Sequence, residues 1–158
     1  MKLKQYILEW EKPSVRVARE IDEPAFIKSI MTAYPDVVAK QGTKEDDFNH
    51  IDVFVDWPDE KWLVDVKSVE QNNSKTGNYS LTLKNQKDQW LRLKSAKDMY
   101  LAFVDWGTGN IYTISKPDFY EMTKYYKRRE GRNNTIYILI PRKDLEKNPN
   151  TLIIPIVK

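Results

Sequence analysis

The most constraining feature of this sequence is a β-hairpin predicted over residues 50 to 69. Apolar and polar residues alternate from 50 to 57 and again from 61 to 69, and Pro58-Asp59-Glu60 separates the two runs. Alternation of this kind is typical of strands that bury one face. Proline is favoured at the first central position of a β-turn, so a turn centred on Pro58 and Asp59 determines which residues pair across the hairpin.

This register sorts the side chains by character. One face carries apolar pairs, in which Ile51 lies opposite Val66, Val53 opposite Val64 and Val55 opposite Trp62. The other face carries the remaining pairs, which are Phe54 with Leu63, Asp56 with Lys61, His50 with Lys67 and Asp52 with Asp65. Because apolar and charged positions agree on one register, we predict that the hairpin forms in this way.

The register predicts two carboxylates opposite each other, with Lys67 on the same face. Cβ atoms of facing residues lie roughly 5 Å apart, and at an effective dielectric of about 20 the repulsion is on the order of 3 kcal/mol. A bound cation would relieve it. Shifting the turn by two residues would pair Asp52 with Lys67 but keep all three side chains on one face. With no cysteine and a single histidine, His50, the available ligands are oxygens, which favour Mg²⁺ or Mn²⁺ over zinc.

Asp52 followed by Asp65-Val66-Lys67 across a hairpin resembles the core of the PD-(D/E)xK nuclease superfamily, which includes restriction enzymes, junction resolvases and recombination exonucleases. The resemblance spans roughly residues 20 to 105. It implies a restriction endonuclease-like αβββαβ core in which Asp52, Asp65 and the backbone carbonyl of Val66 hold the metal. It also implies that Lys67 acts beside the attacking water.

Further residues are candidates on weaker grounds. Gln86, in Gln86-Lys87-Asp88-Gln89-Trp90, resembles a glutamine that many members carry on the helix after the third strand. Relatives often add an acid from the first helix, and here Glu20 or Glu23 could serve, with Asp47 as a rival. Against the motif, Ile51 stands where relatives often have proline, and Asp59-Glu60-Lys61 shows that an acid-x-lysine triplet arises easily in this chain.

The rest of the sequence predicts a mixed central β-sheet flanked by helices, an α/β fold with an extra helix and strands toward the carboxyl end. Helices are expected over 22 to 34, 84 to 97 and 115 to about 129. Further strands are expected over 37 to 39, 79 to 83, 99 to 106, 110 to 114, 135 to 140 and 152 to 157, with polar loops at 42 to 49 and 72 to 78. A length of 158 residues suits one domain covering 1 to 158.

Basic residues are concentrated in two segments that suit a nucleic-acid partner. Lys84 and Lys87 lie in the predicted helix before residue 98, and Lys124, Lys127, Arg128 and Arg129 alternate with tyrosines. The second segment could also be a basic helix end that complements the macrodipole. His50 is expected to line the strand edge or to contact phosphate.

Composition excludes several classes of protein. Without cysteine there is no disulfide framework or thiol nucleophile, which suits a reducing compartment, and a cytoplasmic location is expected. No apolar run approaches a membrane span, and no phosphate-binding or dinucleotide-binding glycine motif occurs.

These observations favour a Mg²⁺- or Mn²⁺-dependent nuclease that hydrolyses DNA, such as a junction, flap or recombination nuclease. The alternatives are a DNA-binding or assembly protein with the same fold but no turnover, and a nuclease that cuts RNA. Resolvase and restriction relatives often act as dimers, so by analogy a homodimer is one form to test.

Overall fold

The computed structural model describes residues 17–48, 50–83, 96–132 and 135–158. The helices are α1 (Glu23–Ala33), α2 (Lys44–Phe48), α3 (Gln71–Thr76), α4 (Lys116–Thr123) and α5 (Arg142–Lys147). The strands are β1 (Val38–Gln41), β2 (Val53–Asp56), β3 (Lys61–Ser68), β4 (Asn78–Thr82), β5 (Met99–Asp105), β6 (Asn110–Ser115), β7 (Arg129–Glu130), β8 (Ile136–Pro141) and β9 (Leu152–Pro155).

Six strands form a mixed sheet in the order β1-β2-β3-β5-β6-β9. Every neighbouring pair is antiparallel except β3 with β5, which is parallel. A parallel pair needs a crossover, and here residues 69 to 98 connect the two strands. Helices flank the sheet, so the predicted α/β class with a mixed central sheet is confirmed.

The predicted hairpin is present as β2 and β3. Val53 pairs with Val64, Phe54 with Leu63, Val55 with Trp62 and Asp56 with Lys61, as predicted, and the Trp57 amide donates to the Glu60 carbonyl across the turn, at 2.8 Å. Val53, Val55, Val64 and Val66 are all buried in one cluster, which confirms the predicted apolar face.

The central sheet separates two hydrophobic clusters. Alternate residues of β5 divide between them, since Ala102 and Val104 point to one cluster and Leu101 and Phe103 to the other. Helix α1 covers the first face with Phe26 and Ile30. We call this the α1 face, and the opposite face, on which Asp65 and Lys67 lie, the α4 face.

A smaller sheet covers part of the α4 face. It contains three antiparallel strands in the order β4-β8-β7. Tyr79 and Leu81 of β4 and Ile138 and Ile140 of β8 join Leu101, Phe103, Tyr112, Ile114, Phe119 of α4 and Leu145 of α5 in the second cluster. The strand predicted over 79 to 83 therefore exists but belongs to this second sheet.

Several boundaries differ from the predictions. The loop predicted over 72 to 78 contains α3, and the loop over 42 to 49 contains α2. Helix α4 ends at Thr123, so its predicted continuation to about Arg129 is wrong, and Arg129 lies in a short strand instead. A π-helical turn, Ala18–Asp22, precedes α1. The helix predicted over 84 to 97 lies largely outside the described residues.

No helix in the four described segments is long and apolar enough to cross a membrane.

Candidate active site

Asp65 is the centre of the candidate site. It lies in the middle of β3, is only 6% exposed, and points to the α4 face together with Lys67. Lys67 Nζ lies 3.3 Å from Asp65 Oδ1, and Lys116 Nζ lies 3.4 Å from Asp65 Oδ2. Burial acts to raise the pKa of Asp65, but the ammonium groups of Lys67 and Lys116, with a smaller effect of His50, hold it below its usual range. Asp65 is therefore a carboxylate whose two oxygens each contact a cation.

Asp52 joins Asp65 through the backbone of β3 rather than through the predicted cross-strand pair. The ladder of β2 and β3 stops at Val53, and the Asp52 amide donates to the carbonyl of Val64 at 2.8 Å. The Asp52 carboxylate is 5% exposed, and its Oδ2 accepts a hydrogen bond from the Val66 amide at 2.8 Å. The predicted pairs of His50, Ile51 and Asp52 are thus absent from the ladder, because the regular strand begins one residue after Asp52.

The amino end of α1 contributes a third acid. Glu23 is 2% exposed, accepts a hydrogen bond from Gln41 Nε2 at 2.9 Å and lies 3.5 Å from Arg19. Burial raises the pKa of Glu23, while Gln41 and Arg19 lower it and the charges of Asp65 and Asp22 raise it. Glu20, the other acid considered for this place, is exposed. Glu23, in contrast, lies close enough to Asp65 for the two negative charges to repel each other.

Asp22 is a buried acid that was not among the predicted site residues. Its Oδ2 accepts a hydrogen bond from Ser68, the residue after Lys67, and its Oδ1 accepts one from Trp106 Nε1 at 2.8 Å. Asp22 thereby ties the start of α1 to the carboxyl ends of β3 and β5. Through these contacts Asp22 positions the strand ends at the edge of the site.

Lys116 was also missed. It is the first residue of α4, and its side chain is only 9% exposed. Ser115 caps this helix, since its hydroxyl accepts a hydrogen bond from the Asp118 amide at 3.1 Å, and Pro117 suits the first turn. No local motif marks Lys116. The available signal was the predicted hairpin of β5 and β6, because β5 pairs with β3 and the return of β6 places Ser115 opposite Tyr100, the partner of Val64.

Of the other predicted site residues, His50 lies near enough to Asp65 to act on its charge. His50 is exposed and adopts a positive φ of 63° where the chain enters β2, a conformation uncommon outside glycine. Lys124, Lys127, Arg128 and Arg129 lie beyond α4 and in β7, away from the acids. The structure does not describe Gln86, Lys84 and Lys87, or the side chain of Asp47, so the roles predicted for them stay predictions.

The donor set suits a hard cation with few protein ligands. Within the part of the chain that the structure describes, no group of three or more acidic or histidine side chains is close enough to hold a metal ion. Mg²⁺ typically takes one or two carboxylates and keeps several waters, so Asp52, Asp65 and a backbone carbonyl are a sufficient set. Asp22, Glu23, Asp52 and Asp65 are all buried; Arg19 contacts Glu23, and Lys67 and Lys116 contact Asp65.

The two lysines differ in what they can do. The Lys67 side chain is 34% exposed, whereas that of Lys116 is 9% exposed. A partly exposed ammonium can turn toward a phosphate oxygen or a water, but a buried one has no solvent to replace its partner. Lys116 can therefore hold one oxygen of Asp65 while Lys67 and the other oxygen serve a ligand.

Comparison with known proteins does not assign a family. No protein-family model matches the chain, and no curated protein matches it. One solved structure, that of a nuclease from a fusselovirus, superposes with a TM-score of 0.48 and 15% sequence identity, covering 84% of this chain and 87% of that one. A likeness at this level carries no information about chemistry.

Proposed function

We propose that this protein is a metal-dependent nuclease that hydrolyses phosphodiester bonds in DNA, with Asp52, Asp65 and Lys67 at the reacting centre. The observation that supports it most is the buried Asp65 carboxylate held between two lysines, with Asp52 attached to the same strand through the Val66 amide. The resemblance of these residues to the PD-(D/E)xK motif is consistent with the proposal. An ion pair with a purely structural role needs only one acid, and burying a second acid nearby would add a desolvation cost.

Mg²⁺ or Mn²⁺, held by Asp52, Asp65 and the Val66 carbonyl, would supply a polarised phosphoryl oxygen and a water of lowered pKa. The chain's own residues do the rest. Lys67 would orient the water or offset the charge that develops on the phosphate. Lys116 keeps Asp65 oriented, and Glu23 contributes negative charge that attracts the cation. Hydrolysis on this scheme needs no covalent intermediate.

The test is incubation with supercoiled, linear, flapped and four-way-junction DNA, and with RNA, in Mg²⁺ or Mn²⁺. We expect cleavage that EDTA abolishes, and a loss of about 10²- to 10³-fold in kcat for Lys67→Ala, as when a charge-stabilising group is removed. Asp65→Ala should lose at least as much. Asp56→Ala and Lys61→Ala are matched controls, because they are the same residue types paired on the same hairpin but away from the site.

Cleavage that persists in both Asp65→Ala and Lys67→Ala would refute the assignment of these residues. Cleavage of RNA alone would refute DNA as the substrate but would still support metal-dependent hydrolysis of a phosphodiester bond.

A second candidate function is a nucleic-acid-binding or assembly protein without turnover. The observation that favours it is that both oxygens of Asp65 already contact lysines, so the site carries cations of its own. Calorimetric titration with Mn²⁺ separates the two candidates. Binding that is lost in Asp52→Asn supports the nuclease, and no binding in the wild type supports the alternative.

A further inference from the structure

The outer face of the small sheet is distinct from the site described above. Tyr79, Leu81, Ile138 and Ile140 point into the second cluster, so their neighbours along β4 and β8 lie on the opposite face. These neighbours are Ser80, Thr82, Tyr137 and Leu139. Ser80 and Thr82 are exposed, and Tyr137 and Leu139 are half-buried. This outer face therefore presents hydroxyls, a tyrosine ring and a leucine.

The register of the small sheet places an arginine beside that ring. Thr82 pairs with Tyr137, and Tyr137 pairs with Arg129 of β7. Residues that face each other across antiparallel strands lie on the same side of a sheet. Thr82, Tyr137 and Arg129 therefore form a row across the outer face, with an aromatic ring between a hydroxyl and an exposed guanidinium.

A groove of about 390 Å³ borders this face and also reaches Tyr79 and Phe103 of the second cluster. Its lining includes Thr82, Tyr137, Ser80 and Leu139 at one end and Glu70 and Ser68 at the other. Ser68 directly follows Lys67 on β3 and binds Asp22. Phe103, which also lines the groove, is the cross-strand neighbour of Lys67 in the β3–β5 pair, so the groove reaches from the small sheet to the strand that carries Asp65 and Lys67.

The segment that contains β7 is rich in positive charge. Strand β7 belongs to the segment 124 to 132, in which Glu130 is the one acid among five basic residues, Lys124, Lys127, Arg128, Arg129 and Arg132. Lys124 is paired with Glu121 at 2.7 Å. Gly131 lies at the edge of this ring, and a Cβ there would clash with Thr135 Oγ1 at 2.6 Å. A polyanion that carries flat, unpaired rings complements this combination of cations, hydroxyls and an aromatic ring.

We infer that the outer face of the small sheet, with Tyr137 and Arg129 at its centre, binds single-stranded nucleic acid and leads it along the groove to Lys67. A base stacks on Tyr137, and a neighbouring phosphate pairs with Arg129. The inference rests on the proposed nuclease function and deepens it by naming the substrate class, an unpaired strand or overhang. In a duplex the base faces are covered by their neighbours, so a tyrosine on an open sheet can stack only on an unpaired base.

The experiment measures binding without cleavage. A fluorescent single strand of about 16 nucleotides, the upper end of typical single-strand site sizes, is titrated with the full chain in EDTA, and anisotropy is followed at several salt concentrations. The blunt duplex of the same sequence is the comparison. We expect the single strand to bind at least about tenfold more tightly than the duplex. Stacking on one ring predicts about tenfold weaker single-strand binding for Tyr137→Leu and a change under about twofold for Tyr137→Phe.

Arg129→Ala tests the phosphate contact. Removing one phosphate contact to a single strand lowers the slope of log K against log salt by about 0.7, a change that a merely structural residue does not produce. Lys61→Ala is the control, because it removes one exposed positive charge at the far end of β3 and should leave the slope unchanged. Since Arg129 is exposed, this variant remains informative if Tyr137→Leu does not fold.

Three results would overturn the inference: equal affinity for single strand and duplex, equal loss in Tyr137→Phe and Tyr137→Leu, or an unchanged salt slope in Arg129→Ala. Failure of the nuclease proposal looks different. In that case no DNA is cleaved in Mg²⁺ or Mn²⁺, while binding in EDTA still depends on Tyr137 and Arg129.

Discussion

At the scale of single residues, the site is defined by how buried charges are balanced. Moving a carboxylate out of water costs several kcal/mol unless cations and hydrogen bonds compensate. Asp65 is compensated by Lys67 and Lys116, and its pKa lies below the usual range. Glu23 is compensated less well, and its pKa lies above the usual range. The site therefore holds one stabilised and one destabilised carboxylate.

Glu23→Gln should stabilise the metal-free protein at neutral pH. Because burial raises the folded-state pKa of Glu23, its contribution to stability is full below the unfolded pKa of about 4.3 and is lost as pH rises through the folded value. Glutamine removes that loss and can keep a hydrogen bond with Gln41. Urea unfolding in EDTA should thus show a gain over wild type at neutral pH that disappears below about pH 4.

Glu20→Gln is the matched control, since Glu20 lies in the preceding turn and is exposed. An equal gain at both pH values, or a loss at neutral pH, would contradict the prediction.

The sequence predicts which residues share a face where that depends only on the two-residue period of one strand. Asp65 and Lys67 share a face because they are two residues apart on β3. Lys116 was not predicted because it is 51 residues from Asp65 in the chain, and only the tertiary fold brings it near. The choice between Glu20 and Glu23 was also out of reach. The π-helical turn before α1 adds a residue per turn and shifts the phase on which such a choice depends.

At the scale of elements, the hairpin was predictable because its turn and its alternation are local signals. Helix α3 was missed because its sequence, Gln-Asn-Asn-Ser-Lys-Thr, is polar and contains weak helix formers. It ends at Gly77, whose φ of 72° suits glycine. Helix α4 was predicted too long because the basic and aromatic residues after Thr123 are compatible with a helix, while pairing with β8 draws Arg129 into a strand.

One carboxylate joins several of these elements. Asp105, fully buried at the end of β5, accepts hydrogen bonds from Ser74 of α3 and Tyr79 of β4, both at 2.5 Å, and lies 3.5 Å from Arg142 of α5. Burial acts to raise the pKa of Asp105, but the hydrogen bonds of Ser74 and Tyr79 and the charge of Arg142 hold it below its usual range.

Asp105→Asn should therefore lower the free energy of unfolding by about 3 kcal/mol at neutral pH, the order expected when one partner of a buried ion pair is lost. Because a depressed pKa contributes stability that is lost as pH falls, the gap from wild type should narrow below about pH 4. Denaturant titrations of the wild type and the variant at neutral pH and below about pH 4 measure this difference in the free energy of unfolding. Asp56→Asn, on the exposed side of β2, should change stability by under about 0.5 kcal/mol, and an equal effect of the two substitutions would refute this role.

At the scale of the whole molecule, the two sheets share one hydrophobic cluster. Strands β5 and β6 of the large sheet contribute to it together with β4 and β8 of the small sheet. If either sheet unfolded alone, it would expose apolar surface of the other, so we expect the chain to unfold as one unit.

Two optical signals test this expectation. In a variant with Trp10→Phe and Trp90→Phe, fluorescence comes from the tryptophans at 57, 62 and 106, which lie on or beside the large sheet, whereas far-ultraviolet circular dichroism reports on both sheets. Urea titrations followed by the two signals should have coincident midpoints. A dichroism change that precedes or follows the fluorescence change would show that the small sheet unfolds separately.

The position of Lys116 has a consequence for synthesis of the chain on the ribosome. Domains generally fold as units, with the amino-terminal part made first. The hairpin that carries Asp65 and Lys67 is complete by residue 68, but the lysine that holds the second oxygen of Asp65 follows almost fifty residues later. The parallel neighbour of β3 also comes late, after a long crossover. A nascent chain therefore contains both acids of the hairpin before the site is assembled, and the proposed nuclease activity should begin only after α4 has docked.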